Sequence, residues 1–212
     1  MKFYCKQDDD GFFYIIEDAP DERHDLIRAA FFSQQGNTFL KWYPKNMPDK
    51  EIIIPNYERL APKIFTRNSV NWEGALDVFC RLAKKHSISF ILTGSLSVLM
   101  QGVRINPTDI DIVVDVKDFD RMKSIFSKYT IEPLVYNDSL LLVKYFGRLC
   151  IENVWIDISA FPKKGYEINH IDIKCWNGHI LYVQSLIECL GIYKAIGKEE
   201  YVMEIEECLR KS

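Results

Sequence analysis

The stretch Leu92-Thr93-Gly94-Ser95, followed after residues 96–108 by Asp109-Ile110-Asp111-Ile112-Val113-Val114, decides how this chain is read. Ser87 to Thr93 predicts a buried strand centred on Phe90, Ile91 and Leu92. Gly94-Ser95 then opens a short apolar helix through Leu99 and Met100 that stops near Gly102. Asp109 to Val116 alternates with the period of a second strand. Residues two apart on a strand share a face, so Asp109 and Asp111 point one way while Ile110 and Ile112 enter a core. Two adjacent carboxylates repel each other unless a cation or water screens them. A hard cation such as Mg²⁺ takes one or two carboxylates and fills its other positions with water and substrate phosphates. The pair therefore suits a metal–triphosphate site, although an isolated Asp-x-Asp is more often a solvated sheet edge.

The neighbouring features shift that balance. A glycine between a strand and a helix lets the backbone approach a phosphate closely, and the helix end with its free N–H groups attracts anions. Ser95 adds a hydroxyl donor there, or simply caps the helix. A third carboxylate, Asp157, lies in the apolar run Val154-Trp155-Ile156-Asp157-Ile158-Ser159. It is read as a further metal ligand that accepts the proton of an attacking hydroxyl, against the plain reading of a charge on a half-exposed strand. Asp172, in Ile171-Asp172-Ile173, shows the same local pattern. Asp157 is preferred.

Taken together, Gly94-Ser95, the intervening helix, Arg104 and Thr108 through Val114 resemble the signature of the DNA polymerase β-like nucleotidyltransferase superfamily. Asp157 matches the third carboxylate of that family. Val183 to Ile187 and Tyr193 to Lys198 resemble, more weakly, the tail of abortive-infection toxins and other small bacterial nucleotidyltransferases. The resemblance covers about residues 74–205. It implies an α+β fold, a mixed sheet flanked by helices, and two Mg²⁺ ions (or Mn²⁺) held by Asp109, Asp111 and Asp157. Two metals would activate the acceptor hydroxyl and stabilise the departing pyrophosphate. Gly94 and Ser95 would cradle phosphates, Lys194 would pair with the triphosphate, and Arg104 would hold a phosphate or the Asp-x-Asp strand. For Lys194 and Arg104 a solvated surface charge is an equal reading. Many antibiotic-modifying relatives carry a Trp or a further acid near the Gly-Ser helix, where this chain has Leu96, Val98 and Leu99, so drug modification is less favoured.

The flanking sequence predicts an accessory unit over 1–70, β-rich, and a nucleotidyltransferase domain over 71–212 that includes the C-terminal helices. Lys2–Lys6 and Phe12–Glu17 read as strands around Asp8-Asp9-Asp10-Gly11. Leu26–Phe32 reads as a strand of a second hairpin with Thr38–Tyr43 through Gln34-Gln35-Gly36-Asn37, or Asp25–Phe32 as a helix. Pro44, Pro48, Pro55 and Pro62 predict an irregular connector. Helices are expected from Asn71 to Lys85 and from Asp118 (as N-cap) to Tyr129. Strands are expected at Glu132–Tyr136, Leu140–Tyr145 and Val154–Phe161. A hairpin follows around Asn177-Gly178, then helices Ser185–Ile196 and Lys198–Leu209.

Composition bounds the function. Among 212 residues, 48% are hydrophobic, enough for a substantial core, and no apolar run approaches the ~20 residues of a membrane span. No secretory signal is read at the N-terminus, so a cytoplasmic location is expected. The six cysteines are scattered and form no Cys-x-x-Cys pair, which argues against a disulfide framework or zinc site. A net charge of −3 argues against tracking along nucleic acid and leaves a small molecule, a protein or a brief tRNA contact as acceptor. The expected activity is metal-dependent transfer of a nucleotidyl group from an NTP to an acceptor hydroxyl. The alternatives are a catalytically inactive nucleotide-binding module, a toxin with an antitoxin partner, and a sugar-nucleotide glycosyltransferase. Trp42 and Tyr43 offer a surface for a homodimer or other partner.

Overall fold

A computed structural model describes residues 1–136, 144–160 and 168–211. The first unit is a four-stranded antiparallel sheet, in the order β1-β2-β4-β3, built from β1 (Lys2–Gln7), β2 (Gly11–Glu17), β3 (Ser33–Gln35) and β4 (Thr38–Pro44). Helix α1 (His24–Ala29) enters it from β2. The segment 26–32 is thus helical in its first part, and the hairpin arm opposite β4 is only the short β3.

A helix takes the place of the expected proline connector. Helix α2 spans Lys50–Thr66 with Pro55 and Pro62 inside it. Each proline removes one helical N–H and crowds the preceding turn, at a cost of about 3 kcal/mol. Burial offsets this: Ile53, Asn56, Tyr57, Leu60, Ala61, Ile64 and Phe65 recur at helical spacing and are buried. Pro55 sits on the exposed side of the helix. The Asn56 amide donates to the carbonyls of Ser127 (2.7 Å) and Thr130 (3.0 Å), tying α2 to the larger sheet.

That larger sheet has seven strands in the order β10-β11-β5-β6-β9-β8-β7. They are β5 (Phe90–Thr93), β6 (Ile110–Val114), β7 (Thr130–Tyr136), β8 (Tyr145–Ile151), β9 (Val154–Ala160), β10 (Ile171–Trp176) and β11 (His179–Gln184). Of the expected strand Leu140–Tyr145, residues 140–143 lie outside the described residues, as does Phe161; β8 begins at Tyr145. Helices α3 (Trp72–Lys85) and α5 (Val116–Ile125) cover one face, where Ile110, Ile112, Ile156 and Ile158 meet Phe79 and Phe119. Asp115, not Asp118, caps α5 by accepting from the Lys117 N–H; Asp118 is buried and pairs with Arg121. Helix α4 (Gly94–Leu99) packs with α6 (Leu186–Ala195) and α7 (Glu199–Lys211) in a separate cluster around Val98, Tyr193 and Ile205.

The small sheet and α2 pack on the opposite face of the large one. Trp155 of β9 and Cys150 of β8 share a buried cluster with Phe12, Tyr14 and Phe65. Trp155 and Asp157 are two apart on β9 and so share that face. The N-terminal unit therefore stands beside the carboxylates, on their own side of the sheet. Among the described residues no helix is long and apolar enough to cross a membrane.

Candidate active site

Three strands bring the acids together. β6 pairs antiparallel with β5, placing Asp111 opposite Thr93, and parallel with β9, placing Asp111 opposite Asp157. Asp109 stands just before β6 on the same side. Carboxylate oxygens of Asp109, Asp111 and Asp157 all lie within 4.8 Å of one another. Asp172 lies on the exposed edge strand β10, with β11 and β5 between it and β6. The identical Ile-Asp-Ile surroundings of the two candidates are separated by sheet order alone.

Burial and mutual repulsion raise the carboxyl of Asp111 well above the ordinary range, with Asp109 and Asp157 as the repelling neighbours. Asp109 is raised by burial first and by Asp157 second. Among the described residues neither Asp109 nor Asp111 has an ion-pair partner; the Thr108 hydroxyl donates weakly to Asp109 at 3.3 Å. Asp157 differs. Arg148 of β8, directly opposite it in register, donates from Nε to Oδ1 (2.5 Å) and from Nη2 to Oδ2 (2.8 Å). The Arg148 guanidinium also donates to Glu132 of β7 at 3.0 Å, and Glu132 accepts from Lys41 of β4 at 2.7 Å. These four alternating charges run from the N-terminal sheet to the carboxylate cluster. Lys41 and Arg148 hold Glu132 below its usual range, against a burial that alone would raise it. Phe31 and Trp155 lie against the Arg148 guanidinium at 5.6 and 4.9 Å.

Gly94 is required by geometry. Its φ is +63°, and a Cβ there would stand 2.0 Å from Asp111 Oδ2. The turn therefore packs directly on the carboxylate. Gly94→Ala is expected to cost about 1–3 kcal/mol of stability, from left-handed strain and displacement of Asp111. Denaturant unfolding measures the first effect, and a loss of divalent-cation binding measures the second.

A cleft of about 800 Å³ opens over Asp109 and Asp111, lined also by Gly94, Ser95, Tyr193, Lys198 and Tyr201; Asp157 is not among its lining residues. Lys194 is not among the lining residues; it is exposed and pairs with Glu206 at 2.7 Å. Arg104 is also exposed, is not among the lining residues, and acts electrostatically on Glu207 of α7. Sequence reasoning missed Lys198, Arg148, Glu132 and Lys41. A charge in an apolar strand was the available signal for Arg148 and Glu132, but only the register shows that they pair.

No protein-family profile matches the sequence, and no curated protein does either. Solved structures do. The lincosamide antibiotic adenylyltransferase LnuA, with lincomycin bound, superposes with a TM-score of 0.51 at 13% identity, over 67% of this chain and 99% of that one. The chain has a nucleotidyltransferase fold. Two further structures align less closely. They are the Thermotoga maritima protein TM1012 (TM-score 0.47, 22% identity, 76% and 96% covered) and ANT(2″)-Ia in complex with adenylyl-2″-tobramycin (0.45, 11%, 66% and 90%). Within the nucleotidyltransferase fold of this chain, Asp109, Asp111 and the Gly94-Ser95 turn line one cleft, with Asp157 adjoining the two acids.

Proposed function

We propose that the protein transfers a nucleotidyl group from an NTP to the hydroxyl of a small acceptor, releasing pyrophosphate. The observation that carries this reading is the convergence of Asp109, Asp111 and Asp157 within 4.8 Å beside Gly94. The donor set fits a divalent cation. Arg148 pairs with one of the three carboxylates, leaving the other two, half-buried on the cleft wall, without an ion-pair partner among the described residues. Asp109 and Asp111 would hold Mg²⁺, with Asp157 completing the cluster through lone pairs left over from the Arg148 clamp. Bound there, the metal would supply Lewis-acid stabilisation of phosphoryl oxygens. The chain's own residues do the rest. Gly94 lets the backbone approach the triphosphate, and the Ser95 hydroxyl and N–H donate to it. Lys198, on the cleft wall, supplies a positive charge. Tyr193 and Tyr201 present aromatic faces to the nucleoside or acceptor.

A cleft of about 800 Å³ is on the scale of small-molecule sites, which favours a small acceptor over tRNA or a protein. LnuA, with lincomycin bound, is a precedent for such an acceptor on this fold. The test is incubation with each labelled NTP, Mg²⁺ and a cell extract. Label in the small-molecule fraction supports the proposal; label in RNA or protein reassigns the acceptor; no transfer with any NTP overturns it. One observation favours a second reading, a nucleotide-binding module without transfer: both Asp157 oxygens are already held by Arg148. Saturable NTP binding without pyrophosphate release would establish that alternative.

Lys198 and Lys194 provide a sharper comparison. Losing a charge-assisted contact is worth about 1.5–3 kcal/mol, so Lys198→Ala is expected to raise the KM for NTP about tenfold or more. Lys194→Ala removes an exposed ion pair with Glu206 and is expected to leave KM within about twofold. Steady-state kinetics on the two variants separates them.

A further inference from the structure

We propose that β10 is the contact by which two copies of this chain associate, pairing antiparallel with β10 of a second copy about a twofold axis at Ile173. β10 is the terminal strand of the large sheet, with β11 on one side. The two-residue turn Asn177-Gly178 sets the pairing of Trp176 with His179, and both turn residues have positive φ. In such a hairpin the residues flanking the turn exchange both backbone bonds, and the pattern alternates from there. Trp176, Lys174 and Asp172 therefore bond to β11. Ile171, Ile173 and Cys175 turn their N–H and C=O groups to the other edge, where no strand pairs with β10 among the described residues.

Symmetry and charge select the register. A twofold axis normal to a sheet keeps each side chain on its own face, so facing residues must have the same parity. Centring on Asp172 sets Asp172 against itself, and centring on Lys174 sets Lys174 against itself. Centring on Ile173 puts Asp172 opposite Lys174 of the second copy, twice, and Ile171 opposite Cys175. It also makes an Ile173–Ile173 pair from outward-facing backbone groups. Neither Asp172 nor Lys174 has an ion-pair partner among the described residues. A lysine on a strand edge discourages pairing when it stands alone; here Asp172 accompanies Lys174, so the edge carries one charge of each sign, complementary to itself. Ile173 is 63% and Ile171 42% exposed, a cost that cross-strand pairing lowers.

The assembly is read by light scattering on the full chain at tens of micromolar, a measurement independent of catalysis. The wild type is expected to be a dimer. Lys174→Glu opposes like charges twice and is expected to weaken it about tenfold or more. Asp172→Lys combined with Lys174→Asp reverses both pairs and is expected to restore it. A second variant does not depend on the charges. Ile173→Cys, with Cys175 replaced by Ser, should form a covalent dimer on mild oxidation, whereas Ile180→Cys in the same background should not. A monomeric wild type, a dimer indifferent to Lys174→Glu, a double reversal that stays monomeric, or a dimer that fails to cross-link at 173 would each overturn the proposal.

Discussion

Asp111→Asn is expected to lower nucleotidyl transfer at least about 1,000-fold while making the metal-free protein more stable. The two effects have one origin. Asp111 is half-buried beside Asp109 and Asp157, and its carboxyl is raised well above the ordinary range by loss of hydration and by those neighbours. A group raised in the folded state disfavours folding once the unfolded chain ionises it, so this penalty begins above about pH 4. It grows until the folded carboxyl itself ionises. Replacing it by a neutral isostere removes the penalty. Relief of such crowding typically yields about 0.5–2 kcal/mol, a rise of roughly 2–6 °C in Tm for a chain of this length. The gain should shrink as the pH is lowered towards 4. In the wild type, Mg²⁺ should stabilise by mass action; in Asp111→Asn that shift should nearly vanish. Calorimetric Tm measurements with and without Mg²⁺, beside a pyrophosphate-release assay, check all three statements. An Asn variant that is less stable and still responds to Mg²⁺ would contradict them.

Arg148→Met is expected to destabilise the protein by about 3–5 kcal/mol, the usual result of removing one partner from a buried charge network. Arg148 is 3% exposed and serves two acids at once. Without it, Glu132 keeps only Lys41, and Asp157 becomes a third uncompensated charge beside Asp109 and Asp111. Packing against Phe31 and Trp155 is lost as well. Adding Glu132→Gln should recover part of the loss, because the orphaned carboxylate is then neutral. Urea unfolding of the single and double variants measures both. The stability that Glu132 contributes through Lys41 and Arg148 depends on its being ionised. Its folded value is depressed, so that contribution is present at neutral pH and is lost as the pH falls through the folded value.

The network also gives the N-terminal unit a role that its sequence did not disclose. Lys41 belongs to the small sheet, Glu132 and Arg148 to the large one, and the line of charges ends at a carboxylate of the candidate site. The charges of Glu132 and Arg148 in apolar strands were visible locally, but their pairing exists only once β7, β8 and β9 are in register and the small sheet is docked. Asp109 and Asp111 were legible because a two-residue period fixes their common face. Asp157 and Asp172 were nearly indistinguishable locally, and the strand order β10-β11-β5-β6-β9 separates them. In α2 the 3–4 spacing from Ile53 to Phe65 was present in the sequence, but the prolines outweighed it. Tertiary burial reverses that weighting, since a proline on an exposed helix side costs one bond while the apolar stripe gains a whole face. Lys194 and Lys198 lie four residues apart in sequence, on either side of the α6–α7 bend. Which of them reaches the cleft depends on the bend at Gly197, whose φ of +71° no periodicity reports.

The most direct test of the central claim is diffraction from crystals grown with Mn²⁺ and a non-hydrolysable NTP, recorded at a wavelength where manganese scatters anomalously. The account predicts anomalous density among Asp109, Asp111 and Asp157, with the triphosphate against Gly94-Ser95 and Lys198. Manganese bound elsewhere, or a nucleotide seated away from those three acids, would contradict it.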